Sequence, residues 1–213
     1  MLLTQPFKTL ELMQAFWNDR YAQEAYVYGT QPNAFFRHHL EEIKTPGRAL
    51  FPAEGEGRNA VYAAELGWTV DAFDYSASAQ KKALALADSR NVTLVYSLSS
   101  IEDFAFGTEQ YDLIGLFFVH VPPSVRCLLH QRVMQALTPG GRLILEAFHP
   151  DQLSLDSGGP KKAAMLYSAE LLNVDFSALN IQYLEQVTDN LSEGAYHQGK
   201  ARLTRLLAQK KKN

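Results

Sequence analysis

The turn that follows the first apolar run of the chain carries glycines at a spacing suited to holding a ligand. It spans 53–57, reads Ala-Glu-Gly-Glu-Gly, and leads into a helical pattern. Gly55 and Gly57 permit positive φ and allow a ligand to approach bare backbone. Asp74 ends the next apolar run, where a carboxylate can accept hydrogen bonds from a ribose. These features predict a nucleoside site, and the alternative is a tight turn followed by a helix-capping aspartate.

Two classes of ligand use such a turn, and they differ in charge. Gly55-x-Gly57-x-x-Ala60 matches the dinucleotide fingerprint, in which a pyrophosphate rests on the start of a helix. Glu54 and Glu56 flank the turn, however, and their carboxylates oppose a pyrophosphate unless they point away. S-adenosylmethionine carries an ammonium and a sulfonium and meets no such objection. We therefore favour S-adenosylmethionine and keep a nicotinamide-dependent oxidoreductase as the alternative.

Alternating strand and helix patterns position this turn within an α/β fold. Crossovers of the observed length predict a doubly wound, mostly parallel sheet with helices on both faces and ligands at the carboxyl ends of the strands. The last two strand patterns are joined by a short turn, which predicts an antiparallel terminal hairpin. The predicted strands are 47–51, 68–74, 92–96, 111–119, 142–148, 179–188 and 199–209, and the predicted helices are 9–25, 33–43, 58–67, 76–90, 123–141 and 168–174.

Composition limits the class of protein. The chain has 213 residues, 46% of them hydrophobic, a formal net charge of -3 and one cysteine, Cys127. This suits one globular domain without a disulfide, and the Cys and His spacings predict no zinc or other metal site. We expect a cytoplasmic monomer or weak dimer with no nucleic-acid or membrane partner. Cys127 is expected to be a small buried group, and His38 and His39 to be exposed at a helix end.

Several segments together resemble one enzyme family. AEGEGRNAVYAAELG followed by VDAFDYS resembles the cofactor-binding stretch of class I S-adenosylmethionine-dependent methyltransferases, in particular the group similar to tellurite-resistance and thiopurine-type enzymes. WNDRYAQEAYVYGTQPNAFF, YDLIGLFFVHVPPSVR, LTPGGRLILEAF and EGAYHQGKA resemble other parts of that group, so the resemblance covers most of the chain from about Phe16 to Leu207. It implies a Rossmann-like seven-stranded sheet whose seventh strand is antiparallel. The family's usual acid and first glycine are replaced by Phe51 and Ala53.

The resemblance also assigns a cover over the cofactor to the amino-terminal segment. Aromatic faces pack on adenine and attract a sulfonium, and Arg20 can pair with the methionine carboxylate. The alternative is that these aromatic side chains belong to the ordinary core. The cofactor-binding residues expected are Trp17, Arg20, Tyr21, Tyr28, Gly29, Glu54, Gly55, Glu56, Gly57, Asn59, Asp74, Tyr75, Ser99 and Phe117.

Methyl transfer by in-line displacement needs positioning, and a base only when the acceptor must lose a proton. His120 follows the fourth strand at the carboxyl end of the sheet and could serve there, or could simply cap the next helix. Glu193 and His197 lie in the predicted hairpin turn, which faces the cleft by the resemblance; a solvated turn is the alternative. Glu146 stands among apolar residues and needs a partner, so it is either structural or in contact with substrate.

These features predict one methyltransferase domain with three regions. They are an amino-terminal helical cover at 1–45, a cofactor-binding core at 46–150, and a substrate-side loop with the terminal hairpin at 151–213. The methyl acceptor is expected to be a small molecule, with tellurite, selenite, thiols, arsenicals and other metabolites all open. Because Phe51 and Ala53 depart from the family pattern, a cofactor-binding module without catalysis remains a further alternative.

Overall fold

The computed structural model describes residues 5–212, with side chains from residue 12 onward, so residues 1–4 of the predicted cover lie outside it. Within this range the chain forms a seven-stranded sheet with six α-helices. The helices are α1 (Gln5–Tyr21), α2 (Ala34–Glu41), α3 (Arg58–Glu65), α4 (Ala77–Ser89), α5 (Pro123–Ala136) and α6 (Ala169–Asp175). The strands are β1 (Arg48–Pro52), β2 (Thr69–Asp74), β3 (Val95–Leu98), β4 (Tyr111–Phe117), β5 (Leu137–Phe148), β6 (Asn180–Glu193) and β7 (His197–Gln209).

The strand order is β3-β2-β1-β4-β5-β7-β6. β1 pairs in parallel with both β2 and β4, and β7 runs antiparallel to both β5 and β6. The predicted seven-stranded sheet with an antiparallel terminal hairpin is thus confirmed. Because the chain order reverses at β1, a crevice opens beyond the carboxyl ends of β1 and β4, which is where ligands bind in such sheets.

The central strands β1, β2 and β4 are buried on both faces, since their successive residues point to opposite sides and helices cover each side. Leu50 belongs to the cluster beneath α5 and α6, whereas Phe51 belongs to the cluster beneath α2 and α3. Phe51 meets the ring of Phe36 edge-on, with the ring centroids 5.5 Å apart. The residue that replaces the family's usual acid therefore serves the core.

Several predicted boundaries and one predicted burial are wrong. At the strands, β5 begins at Leu137 rather than at 142, and β6 ends at Glu193 rather than at 188. α5 ends at Ala136 rather than continuing to 141, because Pro139 disfavours the helix just before it and the chain turns extended at Leu137 to pair with Tyr111. β3 occupies Val95–Leu98 rather than 92–96, where it pairs with β2, and α1 ends at Tyr21 rather than at 25. Cys127 is exposed rather than buried, because it lies on the outer side of α5. No described helix is long and apolar enough to cross a membrane.

Candidate active site

The glycine turn joins β1 to α3 with three left-handed residues. Ala53, Gly55 and Gly57 have φ values of 49°, 66° and 86°. The turn is fixed from below, because the Glu54 N–H donates to the Phe73 carbonyl oxygen at 3.1 Å and the Tyr96 hydroxyl donates to the Gly55 carbonyl oxygen. Left-handed backbone costs little at glycine and more at Ala53.

A side chain at Gly55 or at Gly57 would clash with a neighbouring residue, and the neighbour differs between the two positions. A Cβ at Gly57 would lie 2.6 Å from the Cβ of Ala83, so α4 packs directly against this position. A Cβ at Gly55 would lie 2.7 Å from the hydroxyl oxygen of Tyr21, which covers the turn on its open side. Gly57 therefore serves helix packing in this arrangement, whereas Gly55 faces the cover over the expected cofactor site.

The two acids beside the glycines, Glu54 and Glu56, both accept hydrogen bonds from other parts of the protein. Glu54 Oε1 accepts the backbone N–H groups of Asn59 at 2.9 Å and Ala60 at 2.8 Å, which are free donors at the start of α3. Burial raises the pKa of Glu54 to about 7, although these donors act in the opposite direction. The carboxylate of Glu56 accepts from the Val27 N–H and from the Lys82 ammonium, both at 2.8 Å. Because Glu54 takes the helix donors that a pyrophosphate needs, the turn suits a cationic ligand better.

Asp74 faces the glycine turn at the end of β2. Its Oδ2 accepts the Gly55 N–H at 3.1 Å and its Oδ1 accepts the Ser76 N–H at 2.9 Å. Burial raises the pKa of Asp74 to about 6, against the lowering effect of those N–H donors. A carboxylate oxygen can accept two hydrogen bonds, so each keeps capacity for a ribose hydroxyl. The Ser99 N–H donates to the Asp74 carbonyl oxygen at 3.0 Å, which holds β3 beside the site.

The amino-terminal cover consists of Trp17, Arg20, Tyr21 and Tyr28. The Trp17 and Tyr21 rings are stacked with centroids 5.4 Å apart, and Arg20 donates to the Tyr28 hydroxyl at 3.3 Å. The Arg20 guanidinium also lies 4.6 Å from the ring centroid of Tyr196. Within residues 12–212 it has no carboxylate partner, so it can bind the carboxylate of an incoming ligand.

Four other expected cofactor residues have different surroundings. Asn59 Oδ1 accepts the backbone N–H of Asn33 at 2.8 Å. The Phe117 ring packs 4.9 Å from that of Phe36 among core residues. Tyr75 is half-buried beside Asp74, and Gly29 has a φ of 73° within the cover segment. Asn59 and Phe117 thus support the framework of the site in this arrangement.

His120 is anchored to backbone through both ring nitrogens. Its Nδ1 donates to the Met165 carbonyl oxygen at 2.6 Å, and its Nε2 accepts the Phe148 N–H at 3.1 Å. Burial lowers its pKa to about 4, so the ring is neutral near pH 7. No ring nitrogen is left for an acceptor, and the arrangement favours the structural alternative over the catalytic role predicted from its position.

Glu193 and His197 are brought together at the tip of the hairpin. Glu193 is the last residue of β6, His197 is the first of β7, and the two are cross-strand partners. They therefore lie outside the turn, which is shorter than predicted. His197 Nδ1 donates to Glu193 Oε2 at 3.2 Å, and the same oxygen accepts from Arg58 at 2.9 Å. Burial would raise the pKa of Glu193, but the His197 hydrogen bond and the Arg58 charge outweigh it and lower the pKa to about 2.

The His197 ring lies in an aromatic enclosure formed by Tyr28, Phe118 and Phe148. The centroid distances are 4.5, 4.4 and 5.2 Å respectively. Burial lowers the pKa of His197, although Glu193 acts in the opposite direction. Within the described side chains, its Nε2 makes no hydrogen bond and is not sealed from solvent. A neutral imidazole with one free nitrogen is therefore held beside a fixed carboxylate.

Sequence reasoning missed most of the polar network around this pair. Asn33 Nδ2 donates to Glu146 Oε1 at 2.6 Å and to Glu193 Oε1 at 3.2 Å, and Arg205 pairs with the other oxygen of Glu146. Glu146 thus has the partners it was predicted to need. Phe118, directly after β4, adopts a left-handed backbone conformation with a φ of 56°, which is uncommon for residues other than glycine. Nothing in the sequence predicts this conformation. Asn33 was visible only as the cap of α2, a role it also fills by accepting the Phe36 N–H.

Comparisons with known proteins agree with this geometry. A protein-family profile described as a methyltransferase domain matches residues 52–141. Over 157 residues the chain is 31% identical to the probable thiol methyltransferase 2 of Arabidopsis thaliana, covering 71% of this chain and 68% of the plant protein.

Solved structures share the fold at low identity. TehB from Haemophilus influenzae has a TM-score of 0.70 and 18% identity, covering 93% of this chain and 67% of that one. The N-methyltransferase NodS from Bradyrhizobium japonicum WM9, in complex with S-adenosyl-L-homocysteine, has a TM-score of 0.69 and 13% identity, covering 92% of this chain and 97% of that one.

Proposed function

The chain belongs to the class I S-adenosylmethionine-dependent methyltransferases, and we propose that it methylates a small-molecule thiol with His197 as the base. Its cofactor is S-adenosylmethionine and its product S-adenosylhomocysteine. The predicted family and reaction are confirmed, and the nicotinamide-dependent alternative falls away. The observation that carries the proposal for the acceptor is the neutral, carboxylate-oriented imidazole of His197.

The residues around the glycine turn fit the cofactor. Asp74 keeps acceptor capacity for ribose hydroxyls beside the Gly55 N–H. Arg20 has a guanidinium without a carboxylate partner in the described range, which suits the methionine carboxylate, and the rings of Trp17 and Tyr21 suit adenine or a sulfonium. When bound, S-adenosylmethionine supplies a methyl group already activated on sulfur. The protein then has to orient the acceptor, exclude water and remove one proton.

A thiol is the acceptor class that gains most from this base. The thiolate is the nucleophile, and free thiols have a pKa of about 8.5, so most remain protonated near neutral pH. His197 Nε2 takes the thiol proton, while the hydrogen bond from Nδ1 to Glu193 fixes the tautomer. Glu193 is a positioning residue held by Arg58 and Asn33. The plant relative, a probable thiol methyltransferase, supports the same class of acceptor.

The size of the cavity beside Glu193 favours a small acceptor. It has a volume of about 320 Å³ and lies between residues 28–34 and the hairpin, with Glu193 in its wall. This volume is near the lower limit for small-molecule sites.

We also propose a cytoplasmic location, with which a single, free and exposed cysteine, Cys127, agrees. A monomer or weak dimer stays our prediction.

The test measures S-adenosylhomocysteine formation with thiols, selenite, tellurite and arsenite. We expect thiol turnover, and a loss of about 10²-fold or more in kcat/KM for His197→Gln with the cofactor dissociation constant unchanged. His38→Gln, on the exposed side of α2, is the matched control. Turnover of an oxyanion without thiol turnover would refute the acceptor class. Cofactor binding without turnover of any acceptor would favour the binding-module alternative, and an unaffected His197→Gln would remove the base.

A further inference from the structure

The cavity beside Glu193 is lined by an unequal set of charges. Its walls carry the guanidinium groups of Arg58 and Arg205 and the carboxylates of Glu146, Asp189 and Glu193. Three carboxylates against two guanidinium groups give a formal charge of -1. Such an excess acts strongly in a partly enclosed cavity, because fewer water molecules screen it there than at an open surface.

Both positive groups are already engaged by acids in the wall. Arg205 pairs with Glu146 and donates to Asp189 at 2.7 Å, while Arg58 donates to Glu193 at 2.9 Å. The Arg205 guanidinium also stacks over the Phe35 ring, 5.3 Å from its centroid. An incoming anion would therefore have to compete with a carboxylate for either guanidinium.

One of the neutral donors in the wall, the amide of Asn33, is engaged as well. The Asn33 amide group donates to Glu146 at 2.6 Å and to Glu193 at 3.2 Å, which uses both of its hydrogens. Two of the carboxylates keep acceptor capacity, because Glu146 and the half-exposed Asp189 each accept two donors and an ionised carboxylate can accept about four hydrogen bonds. The carboxylates of the wall thus offer acceptors to the hydrogen-bond donors of an incoming ligand.

We propose that this cavity selects the acceptor by charge, admitting thiols that carry an ammonium or hydroxyl group and rejecting those that carry a carboxylate. The inference rests on the proposed function, since it takes the cavity as the acceptor site. An ammonium gains from the excess negative charge, and a hydroxyl can donate to a carboxylate. A carboxylate on the acceptor is repelled and finds both guanidinium groups of the wall already paired with acids. Oxyanions such as selenite and tellurite are disfavoured for the same reason.

The primary test measures binding, so that it does not depend on turnover or on differences in thiol pKa. Three small methyl thioethers with the same CH3-S-CH2-CH2 portion are titrated into the enzyme saturated with S-adenosylhomocysteine: 2-(methylthio)ethylamine, 2-(methylthio)ethanol and 3-(methylthio)propionate. We expect the amine to bind at least about tenfold more tightly than the acid, or ~1.4 kcal/mol, with the alcohol between them. Equal affinity, tighter binding of the acid, or no binding of any probe overturns the inference.

A variant ties the selectivity to the cavity. Asp189→Asn removes one wall carboxylate that is half-exposed and bonded to Arg205. The amine-to-acid ratio should fall several-fold in this variant and should stay unchanged in Asp156→Asn, a surface acid outside the cavity wall. An unchanged ratio in Asp189→Asn contradicts the assignment of selectivity to this wall.

Turnover of the corresponding thiols separates this inference from the proposed function. If cysteamine, 2-mercaptoethanol and 3-mercaptopropionate are all inert while the binding order holds, the thiol acceptor is wrong and the charge selectivity stands. If 3-mercaptopropionate is methylated as efficiently as cysteamine and binds as well, the thiol acceptor stands and the charge selectivity is wrong.

Discussion

The carboxylate of Glu56 accepts the backbone N–H of Val27 at 2.8 Å, so an acid in the glycine turn holds the segment that covers it. The other oxygen of the same group pairs with the Lys82 ammonium at 2.8 Å, which adds α4 to the connection. On the opposite side, the Ala195 N–H donates to the Val27 carbonyl oxygen at 3.0 Å. The cover is thus held by the turn on one side and by the hairpin on the other.

Glu56→Ala should loosen the cover. The change leaves the Val27 N–H and the Lys82 ammonium without this partner, and the loss of hydrogen bonds to a charged group costs about 1.5–3 kcal/mol. We expect the dissociation constant for S-adenosylmethionine to rise about tenfold, measured by isothermal titration. Glu24→Ala, an exposed acid in the preceding segment, is the control. Equal effects of the two changes would contradict the link between turn and cover.

Asp74→Ala should weaken cofactor binding by about 1.5–3 kcal/mol, the usual loss for hydrogen bonds to a charged group. The reason is that this carboxylate, which lies at the end of β2 beside Gly55, is the acceptor that we propose for the ribose hydroxyls. Titration with S-adenosylhomocysteine measures the effect. Asp71→Ala, on the same strand but paired with Arg48, should alter stability rather than cofactor affinity. An affinity unchanged in Asp74→Ala removes this residue from the site.

Glu193→Gln should move the acid limb of the pH profile of kcat/KM to lower pH. Glu193 raises the pKa of His197 against the larger effect of burial, so removing its charge lowers that pKa further and leaves the Arg58 charge uncompensated. The rate should also fall, because the imidazole loses its orienting partner. Glu185→Gln, an exposed change on the same strand, should leave the profile unchanged. A shift to higher pH would show that His197 is not the titrating base.

His120 should make folding sensitive to acid. Its pKa is about 4 in the folded protein against an ordinary value of 6.5, so the neutral ring stabilises the fold above pH 6.5. That contribution, of about 1–3 kcal/mol, is lost as the pH falls through this window. Urea unfolding at pH 7.5 and pH 4.5 should show a smaller acid loss for His120→Gln than for the wild type. His38→Gln should behave as the wild type does; an identical acid loss in His120→Gln would refute the assignment.

Gly57→Ala should destabilise the protein by about 1–3 kcal/mol more than Gly199→Ala does. Both glycines have positive φ, 86° and 97°, but a new Cβ meets Ala83 at 2.6 Å in the first case and nothing within 4 Å in the second. The comparison isolates the steric cost from the backbone cost. Chemical denaturation measures it, and Gly57→Ala combined with Ala83→Gly should recover part of the loss. If the two single changes lower the free energy of unfolding equally, α4 moves aside to make room for the new Cβ without loss of stability.

The features predicted well from sequence depend on residues that are near one another along the chain. Gly55 and Gly57 indicate a turn because they lie between a strand pattern and a helix pattern. The connection between the last two strands is short, so these strands must be antiparallel. Predictions failed where a distant partner decides the outcome. The pairing of Leu137 with Tyr111 ends α5 early, and the nitrogens of His120 are taken by Met165 and Phe148.

The order of apolar runs and glycines was enough to predict a mostly parallel sheet with a terminal hairpin and the turn, because backbone geometry and alternating burial are local properties. The acids beside the glycines favoured S-adenosylmethionine over a dinucleotide, and the family resemblance implied the seven-stranded sheet as a whole. Only the folded chain decides which side chains share the cavity beside Glu193. Asn33, Glu146 and Glu193 are far apart in sequence, yet one amide group contacts both carboxylates. Their charges and free lone pairs depend on those contacts, and electrostatic interactions act through space rather than along the chain.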